Sequence, residues 1–242
     1  MAYHWNWGVL LQDSGSGGTY LDWLLSGLRT TLAIGLSSWI LALLVGTMVG
    51  TLRTVPNRWI RGVATGYVEL FRNIPLLIQL FIWYFAAPEL LPFGAWFKSL
   101  DPGVQLFMSS SLGLGLYTSA RVSEQVRAGI NMLKGGQRNA AVALGMSLPQ
   151  AYRYVILPVA LRLIVAPLTG EFLSIFKNSA IASTIGLLDL SAQGRQLVDY
   201  TAQPYESFIV VTLLYMAINF VVMLGMRRLE RFSRLPGMLG SK

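Results

Sequence analysis

Arg121 and Glu124 stand three residues apart in a stretch that is otherwise largely apolar, and Glu69 and Arg72 repeat that spacing upstream. On a helix, residues three apart share a face, so each couple can join as an ion pair. A charge inside a membrane span costs roughly 2.5–3.5 kcal/mol on insertion scales, so it turns toward a partner or an aqueous cavity. Two chemistries follow for Arg121: a structural pair with Glu124, or a guanidinium beside the path of an anionic substrate. For Glu69 and Arg72 the alternatives are an inner gate and an ion pair at the membrane boundary. Pro75 follows three residues after Arg72. It removes a backbone donor and frees the carbonyl of Phe71, which predicts a kink beside the charged pair. Farther on, Glu171 and Lys177-Asn178-Ser179 form a polar cluster that either lines a cavity or faces the outer interface.

Other chemistries lack their residues. The chain has no Cys, hence no disulfide or thiol chemistry, and its single His4 has no second ligand with which to hold a metal. There is no G-x-x-x-x-G-K-[ST] loop and no Gly-Lys dipeptide, so ATP cannot be bound by that device. No Ser/His/Asp set and no H-E-x-x-H motif is present. A catalytic site and a resident cofactor are therefore not expected.

The elements that position these charges read as membrane helices. Of 242 residues, 54% are hydrophobic and 12% charged, whereas soluble domains carry about 25% charged residues. A soluble chain this apolar would expose large greasy patches, so a bilayer is the simpler solvent. A spanning helix needs about 20 apolar residues. Five candidates fit: 28–51, 59–87, 104–130, 154–176 and 208–226. The third is rich in Gly and Ser, as suits close helix packing. The fourth is interrupted by Arg162, Pro167, Gly170 and Glu171. Gly46/Gly50 and Gly62/Gly66 have small-xxx-small spacing, for which helix packing is the expected role.

Charge sets the direction. Arg53, Arg58 and Arg61 follow the first span; Lys134, Arg138 and Arg153 follow the third; Arg227, Arg228, Arg231, Arg234 and Lys242 follow the fifth. The intervening loops carry Lys98, and Arg195 beyond Lys177. The positive-inside rule then puts the N-terminus outside and the C-terminus in the cytoplasm. Topology thus accounts for the net charge of +8, and nucleic acid is not an expected partner. Residues 1–18 have no Lys, no Arg and no apolar core, unlike a cleaved signal peptide, while Trp5, Trp7 and Trp23 suit a membrane interface. No period of 20–50 residues repeats, which argues against a secondary transporter built from inverted repeats. The whole chain reads as a single transmembrane domain, 1–242.

A cytoplasmic interruption at about 131–153 breaks this pattern. Asn139 to Leu144 is a good helical run, and Gly145 accepts the left-handed conformation that closes a helix. Ser147 caps the next helix with Gln150 three residues on, as in a capping box, and Pro149 stands in its first turn. Two short helices broken at Gly145 would form a small rigid lever. Asn139-Ala140-Ala141, Gly145 four residues later and Ile156-Leu157-Pro158 resemble the EAA loop of ABC importer permeases. Asn139 departs from the usual Glu. Tyr67-Val68-Glu69-Leu70-Phe71-Arg72-Asn73-Ile74-Pro75 is similar to the signature of the polar amino-acid uptake branch. Glu124 and Arg127 are common there, and Arg121 is less usual. Finer likeness to permeases of glutamate/aspartate uptake systems of Gram-negative bacteria lies in Trp5-Asn6-Trp7-Gly8, Leu52-Arg53-Thr54-Val55-Pro56, Lys177-Asn178-Ser179-Ala180 and Leu235-Pro236-Gly237.

The resemblance covers about 20–231. It implies the type I importer fold with five spanning helices, in the bacterial inner membrane. It implies a second, different permease subunit, an ATPase dimer that carries the ATP and Mg, and a periplasmic amino-acid-binding protein docking near 87–103 and 185–206. By the same resemblance, Asn139, Ala140, Ala141, Leu144, Gly145, Ser147 and Pro149 couple to the ATPase. Arg121, then Arg72 and Lys177, with Glu124 and Asn178, are the substrate-path candidates for an acidic amino acid. Glu69 and Pro75 are the gate candidates. Uptake of glutamine or a basic amino acid is the alternative.

Overall fold

The computed structural model describes residues 3–15, 17–133 and 136–233; Lys134, Gly135, Arg234, Leu235-Pro236-Gly237 and Lys242 lie outside them, as does the side chain of Arg138. Among the described residues the protein is all-α, with one isolated bridge between Asp13 and Thr19 and no strand. The helices are α1 (Tyr20–Leu52), α2 (Arg58–Asn73), α3 (Leu76–Phe81), α4 (Ala87–Leu90), α5 (Gly94–Lys98), α6 (Pro102–Met132), α7 (Gly136–Ala143), α8 (Leu148–Ala151), α9 (Leu157–Leu163), α10 (Val165–Ser179), α11 (Leu190–Thr201) and α12 (Pro204–Ser233).

Starts follow side-chain caps. Thr19 N and Oγ1 both donate to Asp22 Oδ2 at 2.8 Å, placing a carboxylate at the positive end of α1. Asn57 accepts from Trp59 N and Ile60 N at the start of α2, and Asp189 accepts from Ala192 N at the start of α11.

Breaks follow prolines. Ile74 is extended (φ −90°, ψ 125°), because the residue before a proline is pushed out of the helical region. The expected kink at Pro75 is therefore a full break: α2 ends at Asn73 and α3 starts at Leu76. The candidate span 154–176 is also divided, with a bend of 64° at Ile164. Pro167 explains the place, since its ring clashes with the carbonyl four residues back, that of Leu163. Two wide turns of π type, Ile82–Ala86 and Tyr152–Ile156, each end two residues before a proline, Pro88 and Pro158. Widening the turn moves the carbonyls that a proline would crowd and that it cannot bond.

Tyr20–Leu52 and Pro204–Ser233 are each long and apolar enough to cross a membrane; counting each broken pair as one span gives up to four crossings. The 31 residues of α6 are long enough, but Arg121, Glu124 and Arg127 interrupt their apolar character.

The chain forms two compact units. One comprises Met1–Trp39, Pro75–Gly115 and Ser174–Phe220. Its core gathers Val9, Tyr20, Leu24, Leu190, Leu197 and Val211. Asp189 is buried there, accepting from Ala192 N at 2.9 Å and Tyr215 Oη at 3.1 Å. Burial, the largest influence, raises the Asp189 carboxyl above its ordinary range against the lowering effect of those hydrogen bonds. The second unit comprises Ile40–Ile74, Leu116–Leu173 and Val221–Lys242. Val49, Ala64, Val68 and Ala120 form a core there. Gly46 and Gly50 let α1 approach α6 closely: a Cβ at either would stand 2.6–2.7 Å from Val122 or Val126. Gly62 and Gly66 differ from the expectation, since a Cβ at either would meet nothing within 4 Å in this chain.

Candidate functional site

The second unit brings the charged residues together. Helix α6 aligns Tyr117, Arg121, Glu124 and Arg127 at spacings of three and four, so they share one face. The end of α1 delivers Arg53, the end of α2 delivers Arg72, and α10 delivers Glu171. Glu124 is the hub. Arg53 Nη1 lies 2.8 Å from Glu124 Oε1, Arg72 Nη1 3.2 Å from the same oxygen, and Arg127 Nη2 2.9 Å from Oε2. Arg53 is the most buried of these, its side chain 7% exposed.

Both couples expected from the i, i+3 spacing are rearranged. Arg72 joins Glu124, and Glu69 Oε2 accepts instead from Asn73 Nδ2 at 3.3 Å. Arg121 does not join Glu124, which the other guanidiniums occupy. Its Nη2 donates to Tyr117 Oη at 2.6 Å, its Cζ lies 4.8 Å from the Tyr117 ring centre, and Nη1 stands 4.0 Å from Glu171 Oε2. The Tyr117 contact combines a hydrogen bond with a cation over a ring face. At 4.0 Å from Glu171, by contrast, Arg121 is only loosely held.

Arg72, Arg121, Glu124, Gln125 and Glu171 line a cleft of about 350 Å³. Counting Arg53 and Arg127, which also pair with Glu124, the cluster has more guanidiniums than carboxylates. Each guanidinium has five donors, so bonds remain for another anion. Charge-assisted bonds from arginine suit a carboxylate in particular. Lys177 and Asn178 are not among the lining residues; Lys177 is exposed and Asn178 half-buried near the end of α10. Glu69 and Pro75 are both exposed and also absent from the lining.

The same unit carries the interrupted segment. Helix α7 ends at Ala143 and is closed, as expected, by Gly145, whose φ is +85°. Gly145 N donates to Val142 O at 2.9 Å and Met146 N to Ala141 O at 3.1 Å, the paired bonds of a Schellman motif. Ser147 N donates to Gln150 Oε1 at 2.8 Å, the glutamine half of a capping box. Ala141 is buried, whereas Asn139, Ala140, Ser147 and Pro149 are exposed and Leu144 is 81% exposed. Tyr152 Oη donates to Thr54 O at 3.0 Å, tying the segment to the end of α1 beside Arg53. The two short helices thus form a fixed bracket with an apolar knob on it.

Sequence reasoning missed Arg53, Gln125 and Tyr117. The i, i+4 spacing of Tyr117 and Arg121 was a signal available for one of them. Arg53 reaches Glu124 across more than seventy residues, and no local pattern announces that.

An all-α chain with long apolar helices, an arginine-rich cleft and an exposed helical bracket has the anatomy of a membrane permease component. The family model described as the binding-protein-dependent transport system inner membrane component matches residues 42–235, and the chain belongs to that family. The glutamate/aspartate import permease protein GltJ of Escherichia coli K12 is 56% identical over 246 aligned positions, covering 100% of both chains. The nopaline transport system permease protein NocM of Agrobacterium fabrum is 33% identical over 82% of this chain and 83% of its own. A solved amino acid ABC transporter with histidines matches with a TM-score of 0.73 and 31% identity, over 88% of this chain and 94% of that one. The fold is that of type I ABC importer permeases. The chain is a transport component and not an enzyme, since ATP hydrolysis in such systems belongs to a separate subunit. An ATPase and a binding protein complete such a system.

Proposed function

We propose that this chain is one of two different permease subunits of an ATP-driven importer that carries glutamate and aspartate across the bacterial inner membrane. The 56% identity to a glutamate/aspartate permease along the whole chain carries this reading. The guanidinium-rich cleft supports it, because a dicarboxylate needs cationic donors along its route. In this reading the chain is one transmembrane domain with five crossings, α6 among them. The N-terminus is periplasmic and the C-terminus cytoplasmic.

The bracket from Asn139 to Pro149 seats on an ATPase subunit that binds ATP and Mg. It biases the spans because it contacts two nucleotide states differently; equal contact would shift nothing. Arg72 and Arg121 face the substrate path, with Glu124 the exchangeable partner of Arg72 and Glu171 that of Arg121. Lys177 and Asn178 remain candidates for the route, and Glu69 and Pro75 candidates for the gate.

The test is labelled glutamate and aspartate uptake in proteoliposomes holding the permeases, ATPase and binding protein. Uptake should require ATP and yield to unlabelled glutamate or aspartate. Competition only by glutamine or arginine would discard the acidic substrate, and uptake without ATP would discard the importer mechanism. Gly145→Asp should abolish uptake while leaving membrane insertion intact, since an L-residue strains at φ +85°. Normal uptake by that variant would remove the coupling role from the bracket.

A further inference from the structure

The segment before α1 is pinned at two places in its own unit. At one, Tyr3 Oη donates to Glu206 and lies 2.6 Å from Gln203 Oε1, and Asn6 N donates to Glu206 Oε1 at 2.6 Å. Glu206 is fully buried in the first turn of α12. At the other, Val9 is 1% exposed and packs in the core with Leu24, Leu197 and Val211. Between the pins the large rings point outward: Trp5 is 57% and Trp7 48% exposed, stacked at 5.7 Å with an interplanar angle of 3°. Tyr205 is also exposed; its ring lies 5.9 Å from Trp5 and 4.6 Å from Tyr3.

This ladder continues a stripe on α12. Tyr205, Ile209, Leu213, Met216 and Phe220 recur at helical spacing and are all exposed. The stripe contains none of the small residues that let membrane helices approach closely, so it suits lipid better than another helix. It ends where α12 begins, at Pro204. Trp5, Trp7 and Tyr205 sit at that end, each with an apolar ring and a polar atom, as at a membrane–water boundary. Residues 1–28 contain no Lys or Arg, so this segment itself offers anionic headgroups no cationic side chain.

We infer that residues 3–9 are a strap whose Trp5 and Trp7 rings, together with Tyr205 of α12, lie in the headgroup–acyl boundary of the bilayer at the Pro204 end of α12. The Glu206 carboxylate fixes the strap at that depth. The inference rests on α12 crossing the membrane and not on the cargo.

The experiment compares the assembled transporter with a Trp5→Phe, Trp7→Phe form in phosphatidylcholine vesicles; the difference in tryptophan emission reports the strap. Phosphatidylcholine brominated near the headgroup should cut that difference by about half, with less effect from lipid brominated deep in the acyl chains. Adding phosphatidylglycerol should leave the result unchanged. Tyr3→Phe, with both tryptophans kept, should lower lipid quenching and raise quenching by aqueous acrylamide. Quenching by acrylamide alone, with no effect of brominated lipid, would overturn the inference. So would shielding of the difference signal by loaded binding protein, which would make this surface that protein's dock.

Discussion

Glu124 and Glu206 are both carboxylates removed largely or wholly from water, and the two units hold them by opposite means. Glu124 is surrounded by the guanidiniums of Arg53, Arg72 and Arg127. Glu206 is held by a phenol and a backbone N–H, and Asp189 in the same unit by a backbone N–H and the Tyr215 phenol. Neutral donors that are fully used fix a carboxylate in place, with nothing left over. Guanidiniums bring surplus charge and surplus donors, so the Glu124 cluster can give up one carboxylate and accept another. One arrangement is made for exchange and the other for permanence.

The largest effect should come from Glu124→Gln. It strands the buried Arg53 beside two other cations, and breaking such a buried pair costs roughly 3 kcal/mol. Thermal unfolding of the solubilised transporter should drop by several degrees, with partial recovery on adding Arg53→Gln; an unchanged midpoint would deny that Glu124 holds the cluster. Arg121→Gln should leave the midpoint nearly untouched, because the Arg121 side chain is largely exposed and its ion pair with Glu171 is long. Uptake of acidic amino acids at low concentration should fall about tenfold, equivalent to 1.4 kcal/mol of lost stabilisation. Unaltered uptake kinetics would take Arg121 off the route.

A smaller effect separates Asp189 from both. Burial raises its folded pKa above the unfolded value, so its contribution is complete below the unfolded pKa and is lost as pH rises through the folded one. Its neighbours Tyr215 and Arg195 remain in either case. Asp189→Asn keeps the acceptor oxygen and does not titrate, so it should flatten this part of the profile of unfolding midpoint against pH. A profile of unchanged slope would mean that Asp189 is not the source. The smallest signal is spectroscopic. Loss of hydration, then the hydrogen bond to Glu206 and its charge, push Tyr3 up to about 12. Glu206→Gln should return one phenolate transition toward the ordinary tyrosine range, and an alkaline titration identical to that of the parent would count against the contact.

Legibility followed distance along the chain. The Gly145 closure, the Ser147–Gln150 bond and the Pro75 interruption each involve residues within a few positions, and local rules reached them. Only the severity at Pro75 was underestimated, because the constraint on Ile74 adds to the lost donor. Spacing put Arg121, Glu124, Glu69 and Arg72 forward as charges needing partners, but the i, i+3 pairings it offered are not the ones the fold makes. An i, i+3 neighbour competes with anything the tertiary fold delivers, and here Arg53 and Arg72 arrived from other helices. Tyr3 and Glu206 lie 203 residues apart, beyond any pattern. The five crossings were read from apolar runs alone, which do not reveal where prolines divide a run into two directions.

The wide turns before Pro88 and Pro158 carry a consequence of phase. Each uses one residue more per turn than an α-helix, and one residue is about 100° of rotation. Side chains beyond Ala86 or Ile156 therefore present a face that a single 3.6-residue period, counted from before the turn, assigns wrongly. Removing one residue from either turn would restore the ordinary pitch and swing the downstream helix by that angle. Chain length within these two turns is thus as much a determinant of which side chains face inward as the identity of the side chains themselves.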